Sequence, residues 1–225
     1  MPSSSGIVSE RGKVRRVIVV GGGLAGLMTV IKLCEAGVPV LLVSLVPVKR
    51  SQSVCAQGGI NAAMNTRGED DSPRIHMEET VYGGDFLAHQ PPVQGMTEAA
   101  PGIVHLLDRM GVPFNRTPEG RLDLRRLGGS LFCRTAFAGA TTGQQLLYAL
   151  DEQVRRLETV DAVDRRGVAI PGETMVRTLD SWDLVELVRD DHGVVIGIVA
   201  QNLRTMKIDA FPGDQFALGG PAVYR

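Results

Sequence analysis

A chain of 225 residues with 44% hydrophobic and 22% charged side chains has the composition of a soluble globular protein, built as one large domain or two small ones. Its formal net charge of −1 creates no basic field, so bulk electrostatics do not suggest a nucleic-acid partner. Cys34, Cys55 and Cys133 form no CxxC pair and no Cys/His cluster at ligand spacing, which favours reduced thiols over a disulfide framework or a metal site.

Residues 1–13 read as a loose tail, since Met1-Pro-Ser-Ser-Ser-Gly6 lacks the apolar core of a secretory signal. The remainder, 14–225, is expected as one nucleotide-binding domain. Val17–Val20 is a short β-branched run ending in glycines, as in a parallel strand buried on both faces. Leu24–Ala36 has helical spacing, with Leu27, Ile31 and Leu33 or Cys34 inward and Gly37 as the cap, and Val40–Val43 returns as a strand. Strand, glycine turn, helix and strand make a βαβ unit. The apolar stretch Val17–Ile31 carries Gly21, Gly22, Gly23 and Gly26 and is too short to span a membrane.

Helices are predicted over Pro73–Leu87 and over Pro92–Met110, the latter split at Pro101. Turns fall at Asn115–Gly120 and Gly128-Gly129. Thr142–Glu158 carries an apolar face of Leu146, Leu147, Leu150, Val154 and Leu157, with Glu152 and Arg156 spaced to pair. Gly167–Gly172 reads as a surface excursion. Strands follow at Thr174–Leu179, Leu184–Arg189, Val194–Asn202 and Lys207–Ala210, with Asp190–Gly193 as a hairpin turn. The fold class is α/β, a Rossmann-like parallel sheet plus a small antiparallel element.

Gly21-Gly22-Gly23-Leu24-Ala25-Gly26 satisfies GxGxxG between a strand and a helix. Gly21 permits the tight turn, Gly23 lets amides approach a pyrophosphate, and Gly26 allows close helix packing, with the phosphates at the helix's positive end. The acidic residue such fingerprints place at the end of the second strand is replaced by Ser44. Lys49 and Arg50 fit either the extra phosphate of NADP or a solvated pair in a loop. The segment that follows, through Gly59, is too polar and glycine-bearing for core.

Several blocks in order resemble the flavoprotein subunit of succinate dehydrogenase and fumarate reductase, most nearly the bacterial menaquinone type. They are Val19–Leu27, Lys49–Ile60, Tyr82–Leu87, His105–Gly111, Phe114–Gly120, Arg134–Leu150 and Ile198–Asn202. The resemblance implies FAD, with its pyrophosphate over Gly21–Gly26. It also implies that Ser51, Ser53, Ala56, Gln57, Gly58 and Gly59 line the flavin, where backbone must approach a flat polar ring closely. Cys55 lies beside them as a packing residue. An electron-accepting iron–sulfur subunit, a membrane anchor on the cytoplasmic face, and a dicarboxylate substrate follow from the same resemblance, with no direct membrane span in this chain.

Two departures stand out. The family has histidine at the position of Gln52, and that imidazole bonds the flavin covalently; an amide nitrogen is no comparable nucleophile, its lone pair being delocalised into the carbonyl. FAD is therefore expected to be non-covalent, a change that the resemblance associates with fumarate reduction or a flavin oxidase. The end, Phe216–Arg225, resembles the family's Ala-Thr-Gly-Gly strand end with Leu218 in the threonine's place. The capping domain, the closing segment and the substrate residues would follow it, so no catalytic residue is assigned. Alternatives are an FAD-binding module without turnover, a flavin oxidase of the L-aspartate oxidase type, and an NADP-binding protein. His76, His89, His105 and His192 read as packing or solvated residues; Arg134 fits a functional role or a structural ion pair. Asp85 is a candidate cap or cofactor neighbour.

Overall fold

The computed structural model describes residues 16–163, 167–213 and 215–218, the side chain of Leu218 excepted. The expected tail over 1–13 lies outside the described residues, as do the residues after Leu218. The chain divides into two compact units, residues 1–51 with 150–225, and residues 52–149.

In the first unit, β1 (Val17–Val20) leads through a glycine turn into α1 (Leu24–Glu35) and on to β2 (Val40–Ser44). The helix buries Leu27, Val30, Ile31 and Cys34, so the inner face is the expected one with Val30 added. It stops where Gly37 takes φ +75°, a value that favours glycine. Burial pushes the Cys34 thiol up to about 11, which keeps it protonated and unreactive.

The elements of the second unit come next in the chain. They are β3 (Ile60–Asn61), α2 (Pro73–Gly83), α3 (Gln90–Arg109), β4 (Leu124–Arg125) and β5 (Thr135–Ala136). β5 lies antiparallel between β3 and β4. Ser72 caps α2 by accepting from the Ile75 amide at 3.2 Å, with Pro73 in the first turn. This helix ends at Gly83 and does not reach Leu87, because Asp85 and Phe86 have φ of +51° and +60°. Nor does Pro101 split α3, which is continuous for 20 residues. Proline inside a helix costs about 3 kcal/mol. Thr97, Ala100, Val104 and Leu107 are buried along one side of α3. Burial of a Val or Leu side chain contributes about 1.5–3 kcal/mol, so the packed face offsets the lost hydrogen bond.

Helix α4 (Thr142–Leu157) starts in the second unit and ends in the first. Its apolar face is the predicted one, but the ion pair along it is Asp151 with Arg155, at 2.9 Å. The first unit resumes with β6 (Asp161–Val163), β7 (Ala169–Thr174), β8 (Val176–Asp180), β9 (Trp182–Arg189), β10 (Val195–Asn202), β11 (Ile208–Pro212) and β12 (Gln215–Leu218). The surface excursion expected over Gly167–Gly172 is largely strand, β7 pairing with β6.

The central sheet has the order β12-β1-β2-β8 and every pair in it is parallel. A three-stranded antiparallel sheet, β11-β10-β9, packs against it, and Asp190–Gly193 turns between β9 and β10 as expected. Ile18, Leu41, Val43, Ile198 and Ala200 form the shared core, with Trp182 and Phe211 edge to face at 5.2 Å on its flank. The α/β reading with an added antiparallel element holds.

Candidate functional site

Gly21 takes φ +114°, a conformation that L side chains rarely adopt, and donates to the Val43 carbonyl at 2.8 Å. The turn is thereby tied to the end of β2. A Cβ on Gly22 would lie 2.7 Å from Ser44 Oγ and 3.0 Å from Val48, so this glycine is also obligatory, although the fingerprint spacing does not require it. Gly23 is the N-cap of α1 and gives no side-chain cap; no acidic residue occupies the first turn formed by Leu24, Ala25 and Gly26. Neither a side-chain cap nor an acidic side chain from this turn answers the positive end of α1. Ser44 is buried and donates to the Val46 carbonyl at 2.6 Å, so its hydroxyl has acceptor capacity only. Lys49 pairs with Asp151 at 3.6 Å, and Arg50 is exposed. Ser51 Oγ is buried and has no hydrogen-bond partner among the described residues.

In the second unit, Gln52–Cys55 forms a short 3-10 turn on which Gln52 and Cys55 are exposed, with Ser53 half-buried. Residues Ala56, Gln57, Gly58 and Gly59 are exposed as well, yet firmly held. The Gly143 amide donates to the Ala56 carbonyl at 2.7 Å. Arg125, stacked 4.5 Å over the Phe137 ring, donates to the carbonyls of Gln57 (2.9 Å) and Gly58 (3.1 Å). Thr142 Oγ1 accepts from the Ala138 amide at 3.0 Å and reaches the Gln57 carbonyl at 3.5 Å. Gly59, at φ +121°, has no room for a Cβ, which would meet the Ala136 carbonyl oxygen at 2.5 Å.

The described chain has no cis peptide. In a planar trans peptide the N–H points opposite to the C=O before it. Three consecutive carbonyls, of Ala56, Gln57 and Gly58, are fastened to the scaffold. The amides of Gln57, Gly58 and Gly59 are therefore aimed away from it. Such a row of donors suits the polar edge of a planar ring or an anion. Arg125, Thr142 and Gly143 were not among the residues singled out from the sequence. Thr141-Thr142-Gly143 at a helix start was a readable signal for two of them; nothing local marks Arg125.

The chain matches the FAD binding domain family over residues 16–216. It belongs to that family. Across 209 residues it is 60% identical to the succinate dehydrogenase flavoprotein subunit of Bacillus subtilis, covering 92% of this chain and 33% of the relative. It is 36% identical over 204 residues to the fumarate reductase flavoprotein subunit of Mycobacterium tuberculosis, with 90% and 32% covered. Among solved structures, the Mycobacterium smegmatis Sdh1 complex in the apo form aligns with TM-score 0.82 at 29% identity, over 91% of this chain and 34% of that one. E. coli quinol fumarate reductase aligns with TM-score 0.78 at 28% identity, over 92% and 32%. The chain spans about a third of the length of these relatives. The resemblance read from the motif blocks is thus borne out as homology to succinate dehydrogenase and fumarate reductase flavoproteins.

This FAD-binding domain passes a test of fit with its cofactor on its own geometry. The left-handed Gly21, the first turn of α1 without a side-chain cap and the orphaned Ser51 Oγ, all in the first unit, are each features that a bound dinucleotide would use. The remaining candidates are placed elsewhere. Arg134 is fully buried, with a two-pronged bond to Asp71 (Nη2–Oδ1 2.8 Å, Nε–Oδ2 3.1 Å) and Nη1 at 2.6 Å from Glu79, so the structural ion pair is the reading that holds. His76 is buried beside it; His89, His105 and His192 are exposed. Asp85 is exposed, in a left-handed turn after α2. Among the described residues no group of His, Cys, Asp and Glu has the arrangement of a metal site, and no helix is long and apolar enough to cross a membrane.

Proposed function

We propose that the chain is the FAD-binding portion of a flavoprotein oxidoreductase of the succinate dehydrogenase and fumarate reductase type, exchanging electrons between succinate or fumarate and an iron–sulfur partner. The observation that carries this reading is the 60% identity over 209 residues to a succinate dehydrogenase flavoprotein. Residues Gly21–Gly26 hold the pyrophosphate: backbone amides of the turn and the positive end of α1 meet its charge. Ser44, Lys49 and Arg50 follow along the adenosine side. The pairing of Lys49 with Asp151 supports this over an NADP-phosphate role, since the lysine charge is already engaged. Ser51 offers its unpaired hydroxyl to the cofactor, and Ser53 with Ala56–Gly59 faces the flavin, the amides of Gln57, Gly58 and Gly59 donating to its edge.

FAD, when bound, supplies the two-electron chemistry; this chain binds and positions it. Gln52 stands at the family's attachment point with an exposed carboxamide, and the flavin is held without a covalent bond. Partner subunits, namely an iron–sulfur protein and a membrane anchor at the cytoplasmic face, are part of the same proposal. The names of the relatives, flavoprotein subunits of succinate dehydrogenase or fumarate reductase, support assembly with other subunits, and the kinds of partner follow from the family resemblance.

Acid precipitation of the purified, FAD-saturated chain tests the reading. The expected result is a colourless pellet and a flavin spectrum in the supernatant. A yellow pellet would refute the non-covalent assignment, and protein that takes up no FAD would refute the cofactor assignment altogether.

A further inference from the structure

The dinucleotide fingerprint asks for a carboxylate at the end of the second strand, and this chain has Ser44 there. Packing explains why. Ser44 is wedged against the glycine turn, its Oγ 2.7 Å from where a Gly22 Cβ would sit, and its proton is committed to Val46. A longer acid has no space at this point, and the serine has no donor left to offer a ligand.

The neighbouring strand supplies what β2 lacks. β8 runs parallel to β2 and its last residue, Asp180, pairs in register with Ser44. Register partners in a parallel sheet point to the same face, about 4.8 Å apart. At the carboxyl edge of the sheet the glycine turn, Ser44 and Asp180 thus follow the strand order β1, β2, β8. Ligands of such sheets lie along this edge. An ADP half laid from the glycine turn across β2 reaches Asp180 directly after Ser44.

The state of the carboxyl argues that it awaits a partner. Asp180 Oδ1 is buried and makes no hydrogen bond among the described residues. The two cations that act on it are bonded elsewhere, Arg155 to Asp151 at 2.9 Å and Arg204 to Ser181 Oγ at 3.3 Å. Burial raises the Asp180 carboxyl above its ordinary value; Arg155 and Arg204 pull it down, while Asp151 and Glu158 add to the rise. A buried carboxylate oxygen without a donor destabilises the fold, and the Arg155 and Arg204 charges offset this without bonding to Oδ1.

We propose that Asp180 is the carboxylate that accepts the hydroxyls of the adenosine ribose, taking over from β8 the role that the fingerprint assigns to β2. A vicinal diol presents two O–H donors, which matches a carboxylate with unfilled acceptor sites. The inference rests on the FAD reading above and deepens it.

The test titrates the 225-residue chain and Asp180→Asn with FAD and with FMN, which lacks the adenosine half, following flavin fluorescence and the thermal midpoint of the unliganded protein. Loss of a hydrogen bond to a charged group corresponds to about a ten- to hundredfold weaker affinity. The expected result is that loss for FAD, unchanged FMN binding, and an apo midpoint at pH 7 no lower than wild type, because the amide removes a charge that burial disfavours. Asp180→Ser gives a second variant if the amide misfolds. Unchanged FAD affinity in the variants, or equal losses for FAD and FMN, would overturn the assignment while leaving the FAD reading intact. A wild-type chain that binds no FAD would instead bring down the reading and this inference with it.

Discussion

Two glycine-to-alanine changes separate close packing from helix propensity. Gly143 lies in the first turn of α4, where alanine would be favoured by about 1 kcal/mol on propensity alone. Its Cβ, however, would fall 2.2 Å from the Ser53 carbonyl oxygen, 2.7 Å from that of Ala56 and 2.8 Å from the Ala56 Cβ. Two of these neighbours are backbone, so no side chain can swing clear. Overpacking costs about 1–3 kcal/mol, and losing the Gly143 to Ala56 hydrogen bond of 2.7 Å adds about 0.5–1.5 kcal/mol. Subtracting the propensity gain leaves Gly143→Ala destabilised by about 2 kcal/mol, or a urea midpoint about 1 M lower at a slope of about 2 kcal/mol per M. Gly102, inside α3, has nothing within 4 Å of its Cβ position, so Gly102→Ala should gain about 1 kcal/mol from the same propensity. Urea unfolding followed by circular dichroism at 222 nm reads both. The Gly143 variant should also bind FAD more weakly, since the 53–56 backbone has to shift. A Gly143→Ala protein as stable as wild type, with wild-type FAD affinity, would refute the account of how that segment is held.

Arg134→Met leaves Asp71 buried without its two-pronged partner, and breaking such a pair costs about 3–5 kcal/mol; Arg134→Lys should recover only part, because an ammonium cannot present the same fork. Equal stability of the methionine variant would show the pair to be dispensable. Burial, aided by the Arg134 charge, lowers the His76 pKa, while Asp71 and Glu79 oppose the shift; the unfolded state therefore binds the proton more readily. Its contribution is present above the unfolded value of about 6.5 and is lost as pH falls through that value toward the folded one. Melting curves of wild type and His76→Phe should converge in their pH dependence above about pH 7 and diverge below about 6.5, with the variant the flatter. Parallel curves across that range would remove His76 as the titrating group.

The βαβ opening was legible because its signals are local. A Val/Ile run, a glycine turn and a 3.6-residue period all lie within Val17–Ser44, and each element bends to its own residues' preferences. The glycine turn was legible for the same reason, as were α4 and the hairpin at Asp190–Gly193. Where reading failed, a tertiary effect outweighed a local one: a packed face carried α3 through Pro101, and pairing with β6 turned the stretch around Gly167–Gly172 into strand. Proline and glycine state a local preference of a few kcal/mol at most, which burial elsewhere in the element can exceed.

The amino-acid sequence by itself thus determined the nucleotide-binding class, the glycine turn between β1 and α1, and the glutamine at position 52. Only the tertiary structure decided that β12 and β8 flank β1 and β2, that Arg125 reaches back to Gln57 and Gly58, and that Asp180 stands beside Ser44. Parallel pairing joins residues more than a hundred positions apart and leaves no spacing to be read; its register is chosen by which faces become buried, a property of the assembled sheet and not of any one strand.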